Sequence, residues 1–101
     1  MKESQKSAEE RVWQVVNQVP EGKVASYGQI ARLAGMPSHA RLVGRILSRL
    51  PTGTKLPWHR VVNSQGRITN PGRKRQQAKL EAEGVTLTNG KVSLKLYGWQ
   101  P

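Results

Sequence analysis

A chain of 101 residues with 17 Lys plus Arg against 6 Asp plus Glu carries a net charge of 17 − 6 = +11, and its length suits one modest core. A field of that sign draws polyanions, which makes nucleic acid the first candidate partner and an anionic membrane surface the second. The absence of cysteine excludes disulfides, Cys-ligated zinc and thiol chemistry and fits a reducing compartment.

The start, MKESQKSAEE, is polar and charged and is no signal peptide. No apolar run approaches the ~20 residues of a membrane span, so a soluble intracellular protein without membrane contact is expected. Residues 1–6 read as a frayed polar start. Ser7-Ala-Glu-Glu10 then matches a capping box, with Ser7 as N-cap and Glu10 at N3. Val12, Val15, Val16 and Val19 follow at helical spacing with Trp13 joining their face, and Pro20 and Gly22 stop the helix. Ser26-Tyr-Gly-Gln29 is a second box, opening a short helix through Ile30, Ala31 and Leu33 that stops at Gly35. Pro37-Ser38 starts a third helix with Ser38 as cap and Leu42, Val43, Ile46, Leu47 and Leu50 as its apolar face. The tight Gly35-Met-Pro37 connection makes the two short helices a helix-turn-helix.

Pro51 to Pro57 reads as loop, and Asn63-Ser-Gln-Gly66 as a turn between the extended pieces Val61-Val62 and Arg67-Ile68. Asn70-Pro71-Gly72 is a break. Arg73 to Glu83 reads as a polar helix ended by Gly84 at C′. Val85-Thr-Leu87 and Val92-Ser-Leu94 alternate about Asn89-Gly90, a strong hairpin signal. Helices first and a hairpin last predict a mostly α fold with small β content. The expected architecture is a winged helix-turn-helix domain spanning residues 1–101 without repeat or internal boundary.

On the third helix Arg41, Arg45 and Arg49 recur at i, i+4 and i+8 opposite the aliphatic residues. Most such stripes are solvated faces. On the second helix of a helix-turn-helix in a chain of +11, the pattern points to DNA contact. Gly44 weakens this helix relative to Ala. A close backbone approach to another surface explains it as well as tight core packing does. Arg73-Lys74-Arg75 and Lys79 add charge to the next helix, and cations at a helix N-terminus oppose its dipole.

The stretch KLPWHRVVNSQGRI, residues 55–68, places Trp58, His59 and Arg60 together without a nucleophile beside them. Thr52, Thr54 and Ser64 are the nearby hydroxyls, and none sits in a nucleophile motif. Two histidines 20 residues apart without a local acid make a poor metal site. Read alone, these residues describe a binder with an aromatic wall. Trp58 serves there either as a stacking platform for a base or as a core anchor.

At Pro57-Trp58-His59-Arg60-Val61 the sequence resembles the DNA-binding, C-terminal domain of the O6-alkylguanine-DNA alkyltransferases, and more closely their alkyltransferase-like relatives. The transferases carry Pro-Cys-His-Arg-Val, and Trp58 stands where the alkyl-accepting Cys would be. Ala25 to Ala31, Ala40 to Gly44 and Ala82 to Gly84 resemble, in order, the family's tyrosine, arginine-finger and relay-glutamate segments, so the likeness runs from Val12 to Gly84.

The resemblance implies minor-groove binding of duplex DNA carrying O6-alkylguanine, with the lesion nucleotide flipped. Arg41 would replace the extruded nucleotide, and Tyr27 would crowd its phosphate. Trp58, His59 and Val61 would form the base pocket, backbone groups of Trp58 and Val61 reading the guanine edge. Arg73 would cover the adduct. Ser26, Gln29, Ser38, Gly44, Arg45 and Arg49 complete the implied DNA face. No cofactor and no metal are implied. Without the thiolate the expectation is a non-enzymatic monomer that flags the lesion for nucleotide excision repair. Its place would be cytoplasmic and nucleoid-associated in a bacterium, nuclear in a eukaryote.

The sequence departs from the transferases at Arg45, Leu50 and Gly53. The lid from Pro71 to Lys74 is about two residues shorter by the placement of these motifs. The transferases also carry a separate N-terminal domain, which this chain is expected to lack. Two other readings compete. One is a winged-helix regulator that reads sequence without lesion preference; the other is a hydrolase or glycosylase using His59 and a water.

Overall fold

The computed structural model describes residues 7–101. The polar start read over residues 1–6 lies outside them. Helix α1, Ala8–Gln18, begins at the expected capping box: Ser7 Oγ accepts from the Glu10 N–H, and Glu10 accepts from the Ser7 N–H, both at 3.1 Å. Val12, Val15, Val16 and Val19 are buried. Trp13 is not on that face; it is 39% exposed. At 3.6 residues per turn it stands roughly 100° from the centre of the valine stripe.

Strand β1, Ala25–Ser26, leads into α2, Tyr27–Leu33. Ser26 caps α2 by accepting from the Gln29 N–H at 3.0 Å, but the box is only half formed. The Gln29 side chain donates to the Trp99 carbonyl at 2.9 Å instead. Helix α3, Ala40–Ser48, follows the Gly35-Met-Pro37 turn and starts later than expected. Its N-cap is His39 without a side-chain bond, and Ser38 is exposed in the preceding turn, which the His39 N–H closes onto Met36. Val43, Ile46 and Leu47 of α3 bury against Ile30 and Ala31 of α2 and the α1 valines, forming one core.

A single 3₁₀ turn, Trp58–Arg60, runs straight into strand β2, Val61–Val62. β2 pairs in parallel with β1, Ala25 beside Val61 and Ser26 beside Val62. This short pairing locks the N-cap of α2 to the segment carrying Trp58 and His59. The following turn requires Gly66: its φ is +85°, and a Cβ there would collide with the Val92 carbonyl.

Helix α4, Arg73–Ala82, ends as expected at Gly84, with Gly84 and Val85 N–H groups donating to Glu81 and Leu80. Strands β3, Leu87–Thr88, and β4, Lys91–Val92, pair antiparallel about Asn89-Gly90, both at positive φ. The hairpin is shorter than the alternation suggests. Leu94 belongs to a further helix, α5, Leu94–Tyr97, capped by Ser93. The hairpin closes a second core around Val24, Val62, Ile68, Leu80 and Val85. The terminal residues are tied in as well: Val24 and Gly98 form a parallel bridge, with the Trp99 N–H donating to Val24 at 2.7 Å. The architecture is the expected one, mostly α with small β pieces around a helix-turn-helix.

A candidate nucleic-acid interface

Two recesses meet beside α3. The first is a groove of about 480 Å³. Tyr27, Arg41, Gly44 and Ser48 form one wall, and residues 63–64 and 69–71 form the other. Ser48, Asn70 and Pro71 also border the second, a pocket of about 180 Å³ lined by Leu47, Leu50, Thr54, Trp58, Gly72 and Arg75.

The structure brings together Tyr27, Arg41 and Gly44 in the groove and Trp58 in the pocket. It gives several other anticipated residues different surroundings. Arg73 lines a different recess with Arg67 and Lys74. The cation over the Trp58 ring is Arg75, its Cζ 5.6 Å from the ring centroid. The Gln29 amide donates to the Trp99 carbonyl. Val61 is buried at 1% exposure; its N–H donates to the Trp58 carbonyl and its carbonyl accepts from Gln76 at 2.9 Å. Ser26 serves as the α2 cap.

The Arg stripe divides. Arg41 faces the groove with Gly44, whereas Arg45 and the C-cap residue Arg49 border a separate cleft between α1 and α3 that Trp13 and Leu42 also line. All three arginines are exposed. At Gly44 a Cβ would stand 3.8 Å from Tyr27 Cε1, an ordinary contact. Core packing therefore does not require the glycine.

Behind the pocket a charged network fixes the Trp58 turn. His59 Nε2 is 2.7 Å from Glu83 Oε2. Arg60 donates to both Glu83 oxygens, and from Nη1 to the Val19 carbonyl at 2.8 Å. The Gly22 N–H donates to Glu83 Oε1 at 3.0 Å. Burial alone would raise the Glu83 pKa, but the hydrogen bonds from Arg60, Gly22 and His59 prevail and hold it at about 2. Burial lowers the His59 pKa against the opposing pull of Glu83, which favours the neutral ring. With Glu83 ionised, the bond assigns the proton to Nε2. Gln76, fully buried on α4, donates to the His59 and Val61 carbonyls at 3.1 and 2.9 Å. Gln76 has no place among the residues singled out from the sequence, although its i, i+4 spacing with Leu80 puts it on the one buried face of a polar helix. Among the described residues no cluster of three or more His, Cys, Asp or Glu is placed to hold a metal.

A family model described as the 6-O-methylguanine DNA methyltransferase DNA-binding domain matches residues 7–85. The chain belongs to that family. It is 52% identical over 94 residues to a DNA base-flipping protein of Vibrio parahaemolyticus, with 90% of this chain and 94% of that protein covered. It is 44% identical over 100 residues to Alkyltransferase-like protein 1 of Schizosaccharomyces pombe, covering 90% and 93%. Its fold superposes with a TM-score of 0.89, at 42% identity and over 93% of this chain and 95% of the other, on S. pombe Atl1 in a complex with damaged DNA containing O6-carboxymethylguanine. The resemblance first carried by Pro57–Val61 thus holds for nearly the whole chain.

Proposed function

We propose that this protein binds duplex DNA carrying O6-alkylguanine, holds the flipped base in the Trp58 pocket and transfers nothing. One observation carries the reading: a Trp, in a chain without any thiol, lines the pocket that opens off the helix-turn-helix groove. Trp58 takes the position of the alkyl-accepting Cys. Its indole is no nucleophile, and Arg75 lies over it. His59 has its Nε2 proton committed to Glu83 and is buried, so it braces the turn instead of activating a water. The names of the relatives, a base-flipping protein and an alkyltransferase-like protein seen on damaged DNA, support the same reading.

In this account Arg41 fills the gap left by the extruded nucleotide, and Tyr27 crowds its phosphate. Alkylation weakens the guanine pair, so the flip costs less at a lesion. The protein acts as a monomer and presents the held lesion to nucleotide excision repair. The test is binding to two matched duplexes at one salt concentration, one with O6-methylguanine and one with guanine. Preference for the lesion, with the methyl group still on the DNA afterwards, is the expected result. Equal binding sinks the reading, and so does free base or restored guanine.

Gly44 gives a sharper check of the groove. Gly44→Ala should stabilise the fold by about 0.5–1 kcal/mol, because Ala is the better helix former and fits beside Tyr27. The same methyl should weaken DNA binding by blocking the backbone approach. Thermal melts and duplex titrations on one preparation measure both; a variant that binds as well as wild type removes Gly44 from the contact surface.

A further inference from the structure

The first turn of α4 carries three consecutive cations and splits them between two places. Arg75 turns to Trp58, whereas Arg73 and Lys74 face the other way, into a recess of about 500 Å³ that Arg67 also lines. No carboxylate lines this recess. The salt bridges found among the described residues, His59–Glu83 and Arg60–Glu83, do not involve these cations. Arg67 is held in place by a backbone bridge to Lys91 at the hairpin and by its N–H bond to Asn63 Oδ1. Three exposed like charges gathered on one recess repel one another, and two of them oppose the α4 dipole. Such an arrangement costs stability unless an anion completes it. Thr69 belongs both to this recess and to the wall of the groove holding Tyr27 and Arg41. A strand lying in the groove therefore reaches the recess by crossing Thr69.

We propose that Arg67, Arg73 and Lys74 hold phosphates of the DNA strand where it leaves the lesion groove, a contact on one flank of the lesion and separate from the Arg41 side. The proposal rests on the lesion-binding reading for its register on the DNA. The recess reads no base. It adds affinity equally for damaged and undamaged duplex and leaves their ratio to the Trp58 pocket.

The experiment uses the full chain, its Arg67→Ala/Arg73→Ala/Lys74→Ala variant, and a control that removes three exposed lysines lining none of these recesses, Lys23→Ala/Lys79→Ala/Lys95→Ala. Each is titrated with O6-methylguanine and guanine duplexes of full length, and with lesion duplexes shortened on one side or the other. The recess variant should lose roughly tenfold affinity for both full-length duplexes, with a salt slope shallower by about 2, and clearly more than the control. Its deficit should vanish when one particular flank is removed and persist when the other is. A deficit no larger than the control's, or one that survives both truncations, overturns the proposal. Equal binding of the two full-length duplexes by wild type sinks the lesion reading alone. The recess would then still be judged by the variant against the control on guanine duplex.

Discussion

Arg41→Ala should reduce affinity for an O6-methylguanine duplex by about 30- to 150-fold, or 2 to 3 kcal/mol, without lowering the melting temperature. Extruding a base from the stack costs a few kcal/mol, and a side chain that fills the vacancy returns part of that cost. In the proposed account Arg41 is that side chain. It is exposed, lies near the start of α3, and faces the groove beside Gly44, where the helix backbone is bare. It packs in neither core, so its removal leaves folding untouched. Arg45→Ala is the comparison. Arg45 lies over the α1–α3 cleft, and its loss should weaken all duplexes by only a few-fold and flatten the salt slope by about 1. Equal effects from the two substitutions would show that the stripe acts as a general field and that Arg41 inserts nowhere.

The helices were legible because their signals are local. Ser7 and Glu10 close a box within one turn, and the valines of α1 repeat at the helix period. The parallel pair β1–β2 was not legible. Two residues per strand show no alternation, and their partners lie 36 positions apart, at Ala25 and Val61. Yet that pair sets the site, since it clamps the α2 cap to the Trp58 turn. Helix α5 reads as strand in the sequence because Val92-Ser-Leu94 alternates. Ser93 accepting from the Leu96 N–H at 3.3 Å decides for helix after only two residues of β4.

At the site, residue types were legible and side-chain directions were not. A run of Arg73-Lys74-Arg75 says that charge is present. Which of the three turns to Trp58 depends on the angle at which α4 leaves the Asn70-Pro71-Gly72 break, and only the fold fixes that. Gln29 offered an amide to DNA in the sequence. In the fold one N–H of that amide is held by the terminal segment, through a contact 70 residues away.

Glu83 carries the second large effect. Its pKa of about 2 lies below the ordinary carboxylate value, and with solvent screening allowed for, that depression is worth on the order of 2 kcal/mol of folding free energy. A depressed carboxylate stabilises the fold fully above the unfolded pKa, so this contribution is complete above about pH 4.5. It is lost progressively as pH falls toward 2. Glu83→Gln should therefore lower stability at pH 7 by about 2 kcal/mol, or roughly 8–16 °C in Tm, and flatten the acid limb of the stability curve. The loss reaches beyond folding. Glu83 ties Gly22, His59 and Arg60 together, and Arg60 goes on to Val19, so the amide leaves an unpaired guanidinium behind the Trp58 turn. If that network braces the pocket, the variant at low temperature should remain folded and still bind plain duplex, while its preference for O6-methylguanine narrows. Urea melts between pH 2.5 and 7, paired with lesion and guanine titrations at 10 °C, separate the two roles. An undiminished lesion preference in a destabilised but folded variant would make Glu83 a folding residue only.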